Sequence, residues 1–249
     1  MAGHSKWANI KHRKGAQDAK RGKLFTKLIR EIMIAARLGG GDPASNPRLR
    51  IAIQNAKGAN MPKDKIEKAI AKATGAGGED YTEVTYEGYV NGVALYIECT
   101  TDNTNRTVAN VRAVLSKGGG NLTTNGSLDF IFDRKGVFTI SLEDYKLDEE
   151  AFTLEMADAG ADEVEFDHEN GFVTVYCPME EFGSIQKKLE EMNIEAKEAG
   201  LQRIPKTYVK LDNETFQKTM KVIEALEDDD DVQKVYHNIE ITDEQMEMA

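Results

Sequence analysis

The sequence predicts an α+β protein: an N-terminal three-helix domain followed by two α/β sandwich domains, one ferredoxin-like and inserted into the other. Three observations carry this. Residues 1–75 show only helical periodicity, and residues 82–239 switch to alternating strand patterns interleaved with helices. Residues 136–205 by themselves complete a βαββαβ order. A charge reversal falls at the first boundary. Residues 1–75 hold 17 Lys+Arg and 5 Asp+Glu, a net of +12, whereas residues 76–249 hold 15 and 38, a net of −23. The overall −11 hides this, yet a local basic field attracts phosphate whatever the rest of the chain carries.

In the first helix, from about Gln17 to Leu38, Leu24, Phe25, Leu28, Ile29, Ile32, Met33 and Ala36 fill one apolar side. Gly39-Gly40-Gly41 end it. Asn46-Pro47 reads as an N-cap with proline at the first helical position, and Leu49, Ala52, Ile53 and Ala56 form the inner face of a second helix. Pro62 opens a third helix with Ile66, Ala69, Ile70 and Ala73 inward, and Gly75 stops it. Three short helices then share one small core.

Past Gly75–Gly78 come strand Thr82–Val90, the turn Asn91-Gly92, and a half-buried strand in which Val93, Leu95, Ile97 and Cys99 alternate with Ala94, Tyr96 and Glu98. A helix spans about Thr104–Lys117, Gly118–Gly120 end it, and Ser127–Phe132 reads as a further strand. The βαββαβ unit is strand Val137–Leu142, helix Asp148–Ala157, strands Glu163–Asp167 and Phe172–Cys177, helix Met179–Met192 and strand Ala196–Leu201. A short strand (Tyr208–Leu211), a helix (Glu214–Leu226) and a strand (Val232–Ile239) come last. These final elements lack a sheet of their own, so they return to the 82–132 unit. The resulting domains are 1–78, the discontinuous 79–134 plus 206–249, and the inserted 135–205.

Hydrophobic content of 40% supports real cores, and no apolar run approaches the roughly 20 residues of a membrane span. Cys99 and Cys177 lie far apart in strand-like runs, as buried reduced thiols do. The basic N-terminus is Lys-rich and carries Gly3, Gly15 and Gly22, unlike an Arg- and Ser-rich transit peptide, so a cytoplasmic location is expected.

The sharpest chemical signal is on the first helix. Lys20, Lys23, Lys27, Arg30 and Arg37 cluster opposite the apolar side, with Arg21 beside them. Lys6, Lys11, Arg13 and Lys14 precede it with Trp7, His4 and His12. Lys and Arg neutralise phosphates, and exposed Trp or His can stack on unpaired bases. Arg48 and Arg50 add to the set at the start of the second helix. Asn60-Met61-Pro62-Lys63 is open to two readings, a plain helix start or an exposed loop that presents Met61 and lysines to a partner. In Thr101–Thr107 the polar groups cap a helix, or Asn103 and Arg106 build an anion site at its N-terminus. No GxxxxGK[ST], HExxH or CxxC occurs, and Asp228–Asp231 reads as a solvated acidic run. No catalytic residue, cofactor or metal is expected.

Several stretches together resemble one family: Met1-Ala2-Gly3-His4-Ser5-Lys6-Trp7-Ala8-Asn9-Ile10-Lys11-His12-Arg13-Lys14, Asn46-Pro47-Arg48-Leu49-Arg50 and Asn60-Met61-Pro62-Lys63-Asp64. Thr101–Thr107 and Phe132-Asp133-Arg134-Lys135-Gly136 extend the match. The chain is similar over essentially its full length to the YebC/PmpR family of probable transcriptional regulators, which includes a mitochondrial translational activator of cytochrome c oxidase. The resemblance implies three domains and a nucleic-acid-related regulatory role without catalysis. Some members look like DNA-binding regulators and others like ribosome-associated factors.

The expectation is therefore a non-enzymatic regulator of gene expression that binds nucleic acid through its basic N-terminal domain. A DNA-binding transcriptional regulator is the first reading, and a translation factor contacting rRNA or tRNA is the alternative. A protein–protein adaptor working through the acidic domains stands below both.

Overall fold

The computed structural model describes residues 18–75 and 81–248, with side chains of the first helix from Arg21 onward. In chain order the elements are α1 (Asp18–Gly39), α2 (Pro47–Gly58), α3 (Lys63–Thr74), β1 (Thr82–Val90), β2 (Val93–Thr101), α4 (Thr104–Lys117) and β3 (Asn121–Leu122). Next come β4 (Phe132–Ser141), α5 (Glu149–Asp158), β5 (Glu163–Asp167), β6 (Phe172–Pro178), a 3₁₀ turn (Met179–Glu181), α6 (Phe182–Glu191) and β7 (Glu198–Pro205). The chain closes with α7 (Asn213–Glu227), β8 (Val232–His237) and α8 (Asp243–Met248). Two compact units result. One joins the helical domain to Arg134–Gln202, and the other joins the stretch from β1 to Asp133 with the stretch from Arg203 to α8.

In the first unit, the strand order β5-β6-β4-β7 with antiparallel β4–β6 and β5–β6 pairing is that of a ferredoxin-like sheet. α5 and α6 contribute Phe152, Met156, Ile185 and Leu189 to a core with Phe138, Ile140, Val173 and Val175 of the sheet. Phe138 and Phe182 stack at 4.6 Å. α1 packs on both α2 and α3. Its residues Ile32–Ala36 are buried all round, whereas Leu24 and Leu38 stay exposed, so the apolar side is used mainly by the C-terminal half of the helix.

Asn46 does more than start α2. Its Oδ1 accepts from the Leu49 N–H at 3.1 Å, and its Nδ2 donates to the carbonyls of Ala35 (2.7 Å) and Gly40 (2.8 Å) at the end of α1. One buried amide therefore caps one helix and closes another. α2 also docks on β7, the edge strand of the sheet. The Asn55 side chain donates to the Ala199 carbonyl at 2.9 Å and accepts from its N–H at 2.8 Å, continuing the ladder. Gln54 donates to the Ala196 carbonyl at 3.0 Å. At Gly58 a Cβ would sit 2.0 Å from the Lys197 carbonyl oxygen, so only glycine admits this approach.

In the second unit the order is β3-β1-β2-β8, antiparallel throughout. The β1–β2 hairpin turns at Asn91 (φ 51°) and Gly92 (φ 79°), as the Asn-Gly pair predicts. β8 pairs with β2, and α4 and α7 pack together, so the C-terminal segment completes this sheet. Three expectations change here. β2 is buried on both faces, since Ala94 and Tyr96 lie under Leu128, Ile131 and Phe132. The covering segment is the reason: Ser127–Ile131 is a set of turns rather than a strand. The buried Glu87 carboxylate holds it, accepting from the N–H groups of Gly126 (2.6 Å) and Leu128 (2.7 Å) and from the Ser127 hydroxyl (3.1 Å). Tyr208–Leu211 forms only one parallel bridge, Val209 to Ile239, and α8 was not foreseen.

Candidate nucleic-acid interface

Arg21 and Lys23 are exposed on α1, Lys27 and Arg30 are half-buried along their stems, and Arg37 is exposed in the last turn. α2 exposes Arg48, Arg50 and Lys57, and α3 exposes Lys63, Lys65, Lys68 and Lys72. α3 mixes signs, with Lys63–Glu67 (3.5 Å) and Lys68–Asp64 (3.3 Å) pairs one turn apart. Phe25, half-buried on α1, has the Arg21 guanidinium 5.5 Å and the Lys65 ammonium 5.3 Å from its ring centroid, linking basic groups of two helices through one aromatic face. Lys6, Trp7, Lys11, His12, Arg13, Lys14 and the Lys20 side chain lie outside the described residues.

The partner-loop reading of Asn60–Lys63 changes. Met61 is buried, because the chain reverses at Asn60 (φ 58°) and the Met61 N–H donates to the Ala56 carbonyl at 2.9 Å, folding the thioether inward. Asn60, Pro62 and Lys63 remain exposed.

The anion-site reading of Asn103 and Arg106 also changes. Asn103 caps α4, its Oδ1 accepting from the Arg106 N–H at 3.0 Å. Arg106 already holds carboxylates of the protein, donating to Asp231 Oδ2 from Nη2 (2.7 Å) and Nε (3.1 Å) and to Asp102 Oδ1 at 2.7 Å. These partners, Asp231 first, raise the guanidinium pKa further. The hydroxyls of Thr101 and Thr107 donate to the same Asp231 oxygen at 3.1 and 2.9 Å. Asp231 is therefore buried, unlike its neighbours in the acidic run. Its place directly before the apolar start of β8 is the signal that sequence reading passed over.

Other residues that sequence reading missed are Glu87, Asn55 and Arg203, whose guanidinium lies 4.3 Å over the Tyr96 ring while Nη2 donates to the Tyr96 hydroxyl at 2.9 Å. Among the described residues no group of three or more His, Cys, Asp or Glu could hold a metal ion. No helix there is long and apolar enough to cross a membrane. Cys99 and Cys177 are buried and form no disulfide.

Residues 5–76 match the family model described as the TACO1/YebC protein N-terminal domain, and residues 81–239 match that of the TACO1/YebC second and third domain. A relative from Amoebophilus asiaticus (strain 5a2), named "Probable transcriptional regulatory protein", is 60% identical over 240 residues, covering 96% of this chain and 98% of its own. A likewise named relative from Photorhabdus laumondii subsp. laumondii is 51% identical over 246 residues, covering 98% of each. The crystal structure of a conserved hypothetical protein from Aquifex aeolicus is similar with a TM-score of 0.81 at 43% identity, covering 91% of this chain and 93% of that one. With both family models matched across nearly its whole length, the chain belongs to the TACO1/YebC family.

Proposed function

We propose that this protein is a non-enzymatic, cytoplasmic regulator of gene expression that binds nucleic acid through its basic N-terminal domain. The names of its relatives support a regulatory role. The observation that carries the binding surface is the excess of exposed lysine and arginine on α1, α2 and α3 against an otherwise acidic chain. DNA is the first target of this reading, as the ligand of a transcriptional regulator. Basic residues of the tail and α1 contact phosphates, Trp7 stacks, and the acidic remainder positions the basic end or recruits a protein.

A second reading, contact with ribosomal or transfer RNA, is favoured by one feature of α2. α2 carries exposed Arg48, Arg50 and Lys57, yet its Asn55 and Gly58 side is committed to β7 and is closed to a groove. Phosphate contacts from exposed lysines suit folded RNA as well as a duplex. Sedimentation with ribosomes, compared with binding to promoter DNA at physiological salt, separates the two. Sequence-selective DNA binding without co-sedimentation supports the transcriptional reading, and co-sedimentation with only non-specific DNA affinity rejects it.

A further inference from the structure

α2 has three faces. Leu49, Ala52 and Ala56 enter the helical core, and Ile51, Asn55 and Gly58 meet the sandwich. Arg50, Ile53 and Lys57, on the third, line a cavity of about 540 Å³. Its far wall belongs to the ferredoxin-like sandwich and includes Tyr145, Glu190 of α6, and Glu195 just before β7. The Tyr145 hydroxyl accepts from the Glu195 N–H at 2.9 Å, which fixes the ring against that wall. The walls have opposite charge. Arg50 and Lys57, seven residues and so about 10 Å apart along the helix, are exposed with no ion-pair partner among the described residues. Glu190 and Glu195 are exposed across from them, and Gln186 Nε2 donates to Glu190 Oε1 at 3.1 Å.

We propose that this cavity takes one unpaired nucleotide of a single-stranded RNA. Its phosphates rest on Arg50 and Lys57, its base lies against Ile53 and Tyr145, and its donor edge turns to Glu190 and Glu195. The proposal rests on the nucleic-acid reading above and adds a base-reading site to it. Size and charge select this occupant. The cavity has the volume of a small-ligand site. An acidic peptide that satisfied the two cations would bring its carboxylates against Glu190 and Glu195. A nucleotide is anionic at one end and offers N–H donors at the other, and carboxylates accept from the cytosine amino group. Uracil lacks that amino group and offers only its single N3–H. Splayed bases beside an aromatic ring are the usual currency of single-stranded RNA recognition.

The test is fluorescence anisotropy with short labelled oligocytidylate and oligouridylate across a salt series, using the full chain. The wild type is expected to prefer oligocytidylate. Arg50→Ala with Lys57→Ala is expected to weaken both RNAs and flatten the log affinity–log salt slope by about 1.4, the value for two single-strand phosphates. Glu190→Ala with Glu195→Ala is expected to retain oligouridylate binding and erase the preference. If Lys23→Glu with Lys27→Glu abolishes binding while both cavity pairs leave affinity, slope and preference unchanged, the nucleic-acid reading stands and the cavity proposal is overturned. If none of the three pairs alters binding, both fall. Displacement of RNA by a polyglutamate peptide from the wild type, with peptide binding lost in the Arg50/Lys57 variant, overturns the proposal in favour of an acidic protein segment.

Discussion

Asn46 makes three hydrogen bonds from one buried amide: it caps the Leu49 N–H at the start of α2 and ties the Ala35 and Gly40 carbonyls where α1 gives way to the turn. Replacing it with alanine removes a cap, about 1 kcal/mol, and two further bonds of about 1 kcal/mol each. Asn46→Ala should therefore lose about 2–3 kcal/mol in urea unfolding, and a loss within error of zero would refute the stitching role. The Asn-Pro pair announced the cap in the sequence. The grip on Ala35 and Gly40 was not legible, because it depends on how the Gly39–Gly41 turn returns the chain. Arg106 shows the same limit, since its carboxylate partner Asp231 lies 125 residues away. Cys177 gives a pH prediction. Burial, followed by the charges of Asp162 and Glu181, pushes its thiol up to about 11. Thiolate formation is thus disfavoured in the folded state relative to the unfolded chain, where the value is about 8.5. This contribution leaves stability unchanged below about pH 8.5 and lowers it progressively as pH rises toward 11. Cys177→Ala should flatten the alkaline fall in melting temperature, and in the native protein both thiols should resist a disulfide reagent until unfolding.

At the scale of elements, α2 shows how far periodicity reaches. The spacing of Leu49, Ala52 and Ala56 predicts a core face, which the structure has. It does not reveal that Asn55 and Gly58 build a second contact, because a polar amide and a glycine carry no hydrophobic signal. Asn55→Leu should leave the Ala199 N–H and carbonyl unpaired, costing about 2–4 kcal/mol. Gly58→Ala should cost about 1–3 kcal/mol by forcing α2 away from Lys197. Hydrogen exchange of the Ala199 amide reads both directly, and unchanged protection in either variant would contradict the docking. The Ser127–Phe132 segment failed for the converse reason. Its apolar residues fit a period of two, but Glu87 captures the N–H groups of Gly126 and Leu128, and Gly126 at φ 87° turns the chain. Glu87→Gln should therefore loosen the cover over Ala94 and Tyr96, seen as raised proteolysis between residues 123 and 131, while the β1–β2 hairpin persists.

For the whole molecule, the order of elements was legible because each carries its own punctuation. The sheet orders were not readable from pattern alone, yet counting helices and strands predicted that the chain's end returns to the 82–132 unit, and β8 is found there, paired with β2. Charge is the other molecular-scale property visible from the start. On the function proposed above, a basic end on an acidic chain would confine polyanion contact to one place and make affinity steeply salt-dependent. The structure adds that part of the α1 stripe is half-buried and that α2 exposes Lys57 besides the expected Arg48 and Arg50. The central claim is that this basic end is the binding surface. A salt titration of nucleic-acid binding tests it most directly, comparing the wild type with Lys20→Glu, Lys23→Glu, Lys27→Glu and Arg30→Glu combined, after circular dichroism has shown the variant folded. Loss of binding across the salt range is the predicted result, and a folded variant with unchanged affinity and slope would contradict the account.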